Sequence, residues 1–248
     1  MILLPIEVWQ LILELSKLSE QITLTRICKL FHQHLKITDF YHLTIYAKRR
    51  LNNSLLKKYH GIKYLDASNK SSITDDGIKH LNLHSLNAAG NHKITDKGIK
   101  HMNLRTLNAS DNYKITDDGI SKMNLSALQA SSKCSITDEG LRHLQLKVLA
   151  AAYNTKITDK GIKHMRLHTL DATGNPEITD KGIEHMNMFI LKASDNPKIT
   201  DKGIEHMNLS VLSVRGNSGI TNKGTKNLKL LLLDASYNNN IIDVKVLQ

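Results

Sequence analysis

The sequence predicts an α/β solenoid of 21-residue repeats, with parallel strands on the concave face and short helices on the convex face. Leucines recur without insertion from Leu65 to Leu233, and the first step shows the period (86 − 65 = 21). One template surrounds them, L-x-x-L-x-A-x-x-N-x-x-I-T-D-x-G-I-x-x-M-x, as in Leu104 to Asn124. A short constant period indicates stacked units, none of which buries its apolar face alone.

The first part of each unit, L-x-x-L-x-A, alternates as a short strand with one buried face does. A small alanine suits the narrow core of a short repeat, and Val214 is the exception to this alanine column. Asparagine follows where the chain leaves the strand, and its amide can bond backbone groups of the neighbouring turn. We therefore predict a ladder of stacked asparagines, interrupted by Lys70 and Lys133. Its members are Asn91, Asn112, Asn154, Asn175, Asn196, Asn217 and Asn238.

Ile-Thr-Asp follows in every unit from Ile73 to Ile199. We expect the isoleucine to point inward and the threonine or aspartate to cap the short helix that comes next. A glycine recurs inside this helix although glycine lowers helix propensity, so the column predicts close backbone approach between neighbouring turns. The column consists of Gly77, Gly98, Gly119, Gly140, Gly161, Gly182, Gly203 and Gly224.

From Ile62 onward this pattern resembles the leucine-rich-repeat family, and I-T-D-x-G-I is similar to the subclass often found in the recognition part of F-box proteins. The resemblance implies a leucine-rich-repeat solenoid over residues 62–248, with eight full repeats and a truncated ninth. Residues 40–61, where Phe40, Leu43 and Ile45 form F-x-x-L-x-I, resemble a degenerate capping repeat.

Residues 1–39 do not follow the 21-residue repeat. Their apolar residues recur at helical spacing after Pro5 and again from Leu24 to Phe31. Their order resembles the F-box, a small α-helical domain: Leu4-Pro5, Glu7-Val8, Ile12-Leu13 and the segment from Arg26 to Phe31 match its positions. By this resemblance the helices dock in the groove of a Skp-type adaptor. The implied adaptor-binding residues are Leu4, Pro5, Val8, Ile12, Leu13, Ile27, Cys28 and Phe31.

Together the two resemblances imply the substrate-recognition subunit of an SCF-type cullin ubiquitin ligase, whose F-box binds the adaptor and whose repeats bind a target protein. An alternative is a leucine-rich-repeat interaction scaffold without any ligase, in which residues 1–39 only cover the apolar end of the stack.

The cysteines and the N-terminal residues indicate in which compartment the protein is located. The two cysteines, Cys28 and Cys134, form no C-x-x-C pair, which favours a reducing compartment. Glu7 and Glu14 interrupt the apolar start, which has no basic leader, so we expect neither a signal peptide nor a membrane span. We expect an intracellular protein in the cytoplasm, with the nucleus as a second location.

The net charge is +11, with a basic cluster between Lys48 and Lys63 that offers a nucleic-acid hypothesis. Only 4% of the residues are aromatic, so few side chains can stack on bases, and we favour a solvated face over a nucleic-acid site. The cluster is formed by Lys48, Arg49, Arg50, Lys57, Lys58 and Lys63.

Two repeated polar columns invite a metal or catalytic interpretation. We interpret the histidines as exposed copies of one ancestral residue and the Ile-Thr-Asp aspartates as helix caps. The sequence contains none of the motifs G-x-S-x-G, H-E-x-x-H or G-x-x-x-x-G-K-[ST], so we expect no enzyme, metal or cofactor. The histidine column is His80, His101, His143, His164, His185 and His206.

Target binding is then expected on the concave strand face, where most outward positions carry small side chains. Binding energy usually resides in a few aromatic or charged anchors, and the larger side chains lie mostly in the C-terminal half. The predicted target-binding residues are Asp111, Tyr153, Lys192, Asp195, Arg215 and Tyr237.

Overall fold

Each 21-residue unit contributes one strand and one helical turn. A computed structural model describes residues 39–40, 51–69 and 71–242. The strands are β1 (Asp39–Phe40), β2 (Tyr64–Asp66), β3 (Ser85–Asn87), β4 (Thr106–Asn108), β5 (Ala127–Gln129), β6 (Val148–Ala150), β7 (Thr169–Asp171), β8 (Ile190–Lys192), β9 (Val211–Ser213) and β10 (Leu232–Asp234). The helices are α1 (Asn53–Leu56), α2 (Asp75–Ile78), α3 (Asp96–Ile99), α4 (Asp117–Ile120), α5 (Asp138–Leu141), α6 (Asp159–Ile162), α7 (Asp180–Ile183), α8 (Asp201–Ile204) and α9 (Asn222–Thr225).

The strands form one parallel sheet in which spatial order follows chain order from β1 to β10. We call the leucines that recur every 21 residues from Leu65 to Leu233 the marker leucines. Each lies opposite the next one in the neighbouring strand, as Leu65 does with Leu86 and Leu86 with Leu107. This register confirms the predicted solenoid arrangement over β2 to β10, because every unit advances the chain by one strand without slipping.

The first strand is registered differently from the sequence pattern. The F-x-x-L-x-I arrangement aligns Leu43 with the marker leucines, but the structure places Phe40 opposite Leu65. Phe40 is buried, and its ring centroid lies 5.2 Å from that of Tyr59. An aromatic ring thus covers the first end of the described leucine column. Strand β1 also spans the predicted boundary between residues 39 and 40.

The core is a set of columns that run through the stack. The marker leucines from Leu65 to Leu212 are almost fully buried, as are the alanines two residues after them, and Val214 is accommodated in the same column. Burying a leucine side chain contributes about 1.5–3 kcal/mol, so the columns supply most of the stabilisation of each unit. Leu233, in β10, is only partly buried because no further strand of the described chain covers it.

The predicted asparagine ladder is present in six turns. The amide of Asn175, for example, donates to the carbonyl oxygens of Ala151, Asn154 and Ile157 in the preceding unit, at 3.1, 2.8 and 3.1 Å. Its Oδ1 accepts from the Glu177 N–H, which closes the turn. The ladder residues are Asn91, Asn112, Asn154, Asn175, Asn196 and Asn238, all buried.

The prediction that Asn217 belongs to this ladder is wrong. Asn217 is exposed, and Ser218 occupies the buried turn position. The same one-residue displacement puts Ser71 and Cys134 at the buried position in the other two turns without a ladder asparagine. We call these three turns, which have no ladder asparagine, the altered turns. Each contains a parallel bridge between backbones, which links Asn52 to Ser72, Thr116 to Ser135 and Thr200 to Gly219. A small side chain cannot reach the neighbouring carbonyls, so backbone pairing holds these turns instead.

The threonine and aspartate of Ile-Thr-Asp have separate tasks, and the expectation that the aspartates are caps needs correction. The hydroxyl of Thr116 caps helix α4 by accepting the Asp118 N–H. The Asp96 carboxylate instead reaches the next unit, where it accepts the N–H of Thr116 at 2.8 Å and its hydroxyl at 2.7 Å. Each such aspartate therefore clamps two turns together.

The clamp explains the glycine column. A Cβ placed on Gly119 would lie 2.2 Å from Oδ1 of Asp96 and 3.3 Å from its Cα. The predicted close approach is therefore confirmed, and a clamping side chain makes the nearest contact. The first clamp uses Asn53, whose amide nitrogen donates to the Thr74 hydroxyl and whose oxygen accepts the Thr74 N–H.

Candidate interaction surface

The outward side of the sheet carries the side chains that flank each buried leucine, and its most exposed apolar residues belong to the units of β8 and β10. Phe189 is 62% exposed, Leu231 85% and Leu232 58%. In the units that contain β3 and β4, the corresponding positions hold His84, Arg105 and Thr106. Exposed apolar side chains on one face of a sheet are typical of a protein-interaction surface, and here the unit of β9 lies between the two that carry them.

Sequence reasoning missed these apolar residues because they occupy unspecified positions of the template. The available signal was Phe189, the one phenylalanine between Phe40 and the end of the chain. Their proximity becomes visible only through the register, which places Ile190 beside Val211 and Val211 beside Leu232.

Two of the predicted target-binding residues lie on this strand face and form ion pairs. Lys192 Nζ lies 3.7 Å from Oδ2 of Asp171, and Arg215 Nε lies 3.8 Å from Oδ2 of Asp234. Both cations are about half exposed, so water screens the pairs and each contributes less than about 1 kcal/mol. Their charged groups therefore remain available to a partner.

The other four predicted target-binding residues stand at one backbone position that the sequence did not single out. The fourth residue after each marker leucine has a left-handed backbone, with φ between 52° and 64°. Glycine, asparagine and aspartate tolerate this region, whereas a bulky side chain is strained there. The nine residues are Asn69, Gly90, Asp111, Ser132, Tyr153, Gly174, Asp195, Gly216 and Tyr237.

The two aspartates of this column support the altered turns. Asp195 Oδ1 accepts the Asn217 N–H at 3.0 Å, and Asp111 Oδ1 accepts the Lys133 N–H at 3.5 Å. In a turn with a ladder asparagine, the corresponding N–H bonds within its own turn, as that of Asn175 does with the Ala172 carbonyl. Asp111 and Asp195 therefore have a structural role in addition to the target-binding role predicted for them.

The two tyrosines of this column have no such hydrogen bond among the described residues. Tyr153 is 56% exposed, and its ring lies over Gly174 so closely that a Cβ there would meet it at 2.1 Å. Tyr237 is more exposed still. An exposed aromatic residue with a left-handed backbone costs about 1 kcal/mol or more, and such strain is commonest at functional sites.

All six predicted target-binding residues are thus exposed, but they do not form one cluster. Lys192 and Arg215 lie on the strand face with the apolar residues of the units of β8 and β10, whereas the other four follow the turns along the stack. The predicted adaptor-binding residues, Leu4 to Phe31, lie outside the described residues.

The histidine column bonds along the stack. Nε2–H of each bonded histidine donates to a backbone carbonyl of the preceding unit, which satisfies an acceptor near the end of a helical turn. These bonds run from His101 to Lys79 (2.9 Å), His164 to Leu144 (3.2 Å), His185 to Met165 (3.2 Å) and His206 to Met186 (2.9 Å). The rings are otherwise exposed, as predicted.

Neither a metal cluster nor a spanning helix is found where the structure is described. Over residues 39–40, 51–69 and 71–242, no three histidine, cysteine, aspartate or glutamate side chains are placed to hold a metal ion. In the same part of the chain no helix has the length and hydropathy needed to cross a membrane.

The thiol of Cys134 is buried in the altered turn that precedes α5, and desolvation raises its pKa from 9.0 to about 11. The thiolate is the reactive form, so we expect Cys134 in the folded chain to resist iodoacetamide at about pH 8 and to react after denaturation in urea. A raised thiol pKa also implies stability that is present below 9.0 and lost as pH rises toward about 11. Peptide mass spectrometry separates its labelling from that of Cys28. Rapid labelling of Cys134 in the native chain would contradict its burial.

No protein-family model matches the chain, and no curated protein sequence matches it. Among solved structures, the crystal structure of the Rad7 and Elc1 complex in yeast is similar at a TM-score of 0.44 and 15% identity, covering 79% of this chain and 75% of that chain. The function therefore has to be inferred from the residues of this chain itself.

Proposed function

We propose that this chain is the substrate-recognition subunit of an SCF-type cullin ubiquitin ligase. Residues 1–39 bind a Skp-type adaptor, and through it a cullin, while the solenoid binds the target protein. The observation that carries the proposal is the F-box-like order of motifs from Leu4 to Phe31 directly before a leucine-rich-repeat solenoid. The location that follows is intracellular, in the cytoplasm or the nucleus.

The geometry of the solenoid supports protein binding. Ten strands spaced about 4.8 Å apart give a continuous face roughly 45 Å long, which suits another macromolecule better than a small molecule. Phe189, Leu231 and Leu232 supply exposed apolar anchors, and Lys192 and Arg215 supply charged groups beside them.

The recurrent polar side chains support a role without chemistry of its own. The aspartate column is engaged in clamps between turns, and four of the six histidines bond to backbone carbonyls. We therefore assign the chain a contribution by proximity, in which the bound target is held at high effective concentration near the ubiquitin-carrying enzyme.

Capture of a purified Skp-type adaptor by the full chain tests the proposal. We expect wild type to retain the adaptor and a variant with Ile12→Asp and Phe31→Asp to lose it, because a charge in an apolar groove stays unpaired. The matched control carries Ser16→Asp and Gln33→Asp, outside the motif, and should capture like wild type. Circular dichroism should be the same for all three chains.

The outcomes separate this proposal from the scaffold alternative. If wild type captures no adaptor and the Ile12→Asp, Phe31→Asp variant melts at a lower temperature, residues 1–39 serve only as a cap and the ligase role is rejected. Equal loss of capture in the Ser16→Asp, Gln33→Asp control would reject the assignment of Ile12 and Phe31 as adaptor contacts.

A further inference from the structure

The turns that follow β3 to β6 form an exposed edge that is basic and aromatic. We call it the basic turn edge. The segments that leave these four strands are residues 88–93, 109–114, 130–135 and 151–156. They contain a single carboxylate, that of Asp111. The members of the basic turn edge are His92, Lys93, Tyr113, Lys114, Lys133, Tyr153 and Lys156, all exposed.

The positive charge of this edge is not neutralised within the described residues. In that part of the chain none of its four lysines has a carboxylate oxygen within 4.0 Å, as is also true of most other lysines there. Asp111 turns its Oδ1 to the Lys133 backbone N–H. Four lysines with a single carboxylate among them leave this edge positively charged, which favours an anionic partner.

The ring of Tyr113 has neighbouring side chains that limit its stacking on a base. The centroids of His92 and Tyr113 lie 4.3 Å apart at 34°, and Nζ of Lys114 lies 5.3 Å from the Tyr113 centroid. Two side chains thus already lie against the Tyr113 ring, while recognition of single-stranded nucleic acid needs free ring faces. A phenolic hydroxyl and a lysine ammonium on the same edge can both donate hydrogen bonds to carboxylates.

Tyr153 adds an independent observation. It stands on the same edge, exposed and with φ 57°, at a position that holds glycine in three other units. The ring packs over Gly174 but stays 56% exposed and outside the core, so we take its strained backbone as support for a binding role.

We propose that the basic turn edge binds an acidic, carboxylate-rich segment of a partner protein, with the lysines as counter-charges and Tyr113 and Tyr153 as hydrogen-bond donors. The proposal rests on the proposed function in taking this partner to be the target protein. It places a basic surface that binds an acidic segment in the middle of the stack, separate from the apolar residues of the units of β8 and β10.

Fluorescence anisotropy of the full chain with a fluorescein-labelled poly-glutamate peptide tests the proposal. We expect Lys114→Glu combined with Lys156→Glu to weaken binding by about tenfold or more, since two attractive pairs become repulsions. The matched control, Lys160→Glu with Lys181→Glu, makes the same change of charge on helices α6 and α7 and should bind like wild type. Equal weakening by both variants would mean attraction to net charge alone and overturn the proposal.

A labelled poly-thymidine strand is the second probe. Binding of the strand but not of the peptide would overturn the proposal in favour of nucleic acid. Tyr153→Asn is the further variant, because asparagine tolerates a left-handed backbone. We expect about threefold weaker peptide binding with no loss of melting temperature; a lower melting temperature with unchanged binding would make Tyr153 a structural residue. Adaptor capture uses other residues, so either assay can fail while the other succeeds.

Discussion

Replacing Asn175 by aspartate is expected to destabilise the solenoid by about 4 kcal/mol, a large effect for a change of nearly identical shape. Asn175 is fully buried, and its amide donates to three carbonyl oxygens at 3.1, 2.8 and 3.1 Å. A carboxylate has no hydrogen to donate and would place a negative charge against these oxygens. Urea unfolding followed by circular dichroism measures the loss.

The pH dependence of the Asn175→Asp variant provides a second check. Burial and the facing carbonyls raise the pKa of the new carboxyl above its unfolded value, about 3.9. The destabilisation relative to wild type is therefore smallest below about pH 4, where the neutral acid can still donate one hydrogen bond, and it grows as pH rises and the carboxyl ionises. The matched control is Asn187→Asp: Asn187 is exposed and its Oδ1 only accepts, from the Asn208 N–H. A variant as stable as this control near neutral pH would contradict the ladder.

Gly119→Ala is expected to lower the free energy of unfolding by about 3 kcal/mol, against the gain of about 1 kcal/mol that helix propensity alone predicts. The new Cβ would lie 2.2 Å from Oδ1 of Asp96, and the carboxylate would have to leave the Thr116 N–H and hydroxyl. Urea titration shows whether Gly119→Ala lowers or raises the free energy of unfolding. A decrease indicates that the clash with the clamp dominates, and an increase indicates that helix propensity dominates.

A double-mutant cycle isolates this contact. Asp96→Ala removes the clamp and by itself lowers the free energy of unfolding. Adding Gly119→Ala to that variant should lower it by less than about 1 kcal/mol more, because the obstructing carboxylate is gone. The coupling between the two sites is then roughly 2 kcal/mol or more. Additive effects would show that something other than Asp96 demands glycine at residue 119.

The sequence could predict the stack because its signals are local and repeated. Leu65 and its successors mark strands by alternation, Thr116 precedes its helix as a capping residue does, and Asn175 stands where a turn needs a polar amide. The candidate binding surface is harder to predict. Lys192 and Arg215 stand out in the sequence by size and charge, but the exposure of Phe189 and Leu231 depends on which side of the sheet they face.

Three features depend on contacts between units. The partner of Asp96 is Thr116 in the next turn, and residues that share a period of 21 carry no local sign of whether they bond within a unit or across one. The altered turns move Asn217 out of the ladder and Ser218 into the buried position by one residue. The register of Phe40 opposite Leu65 is likewise set by the ring that covers the end of the core.

By itself, the sequence determined the period, the parallel order of the strands and the apolar columns, because identical units of equal length can bury their leucines only by stacking in register. The tertiary structure alone decided the clamps, the left-handed column and the grouping of Tyr113, Lys114 and Tyr153 on one edge. The physical reason is that glycine, asparagine, aspartate, serine and tyrosine all occur at the left-handed position, so only backbone geometry and contacts across neighbouring turns identify it.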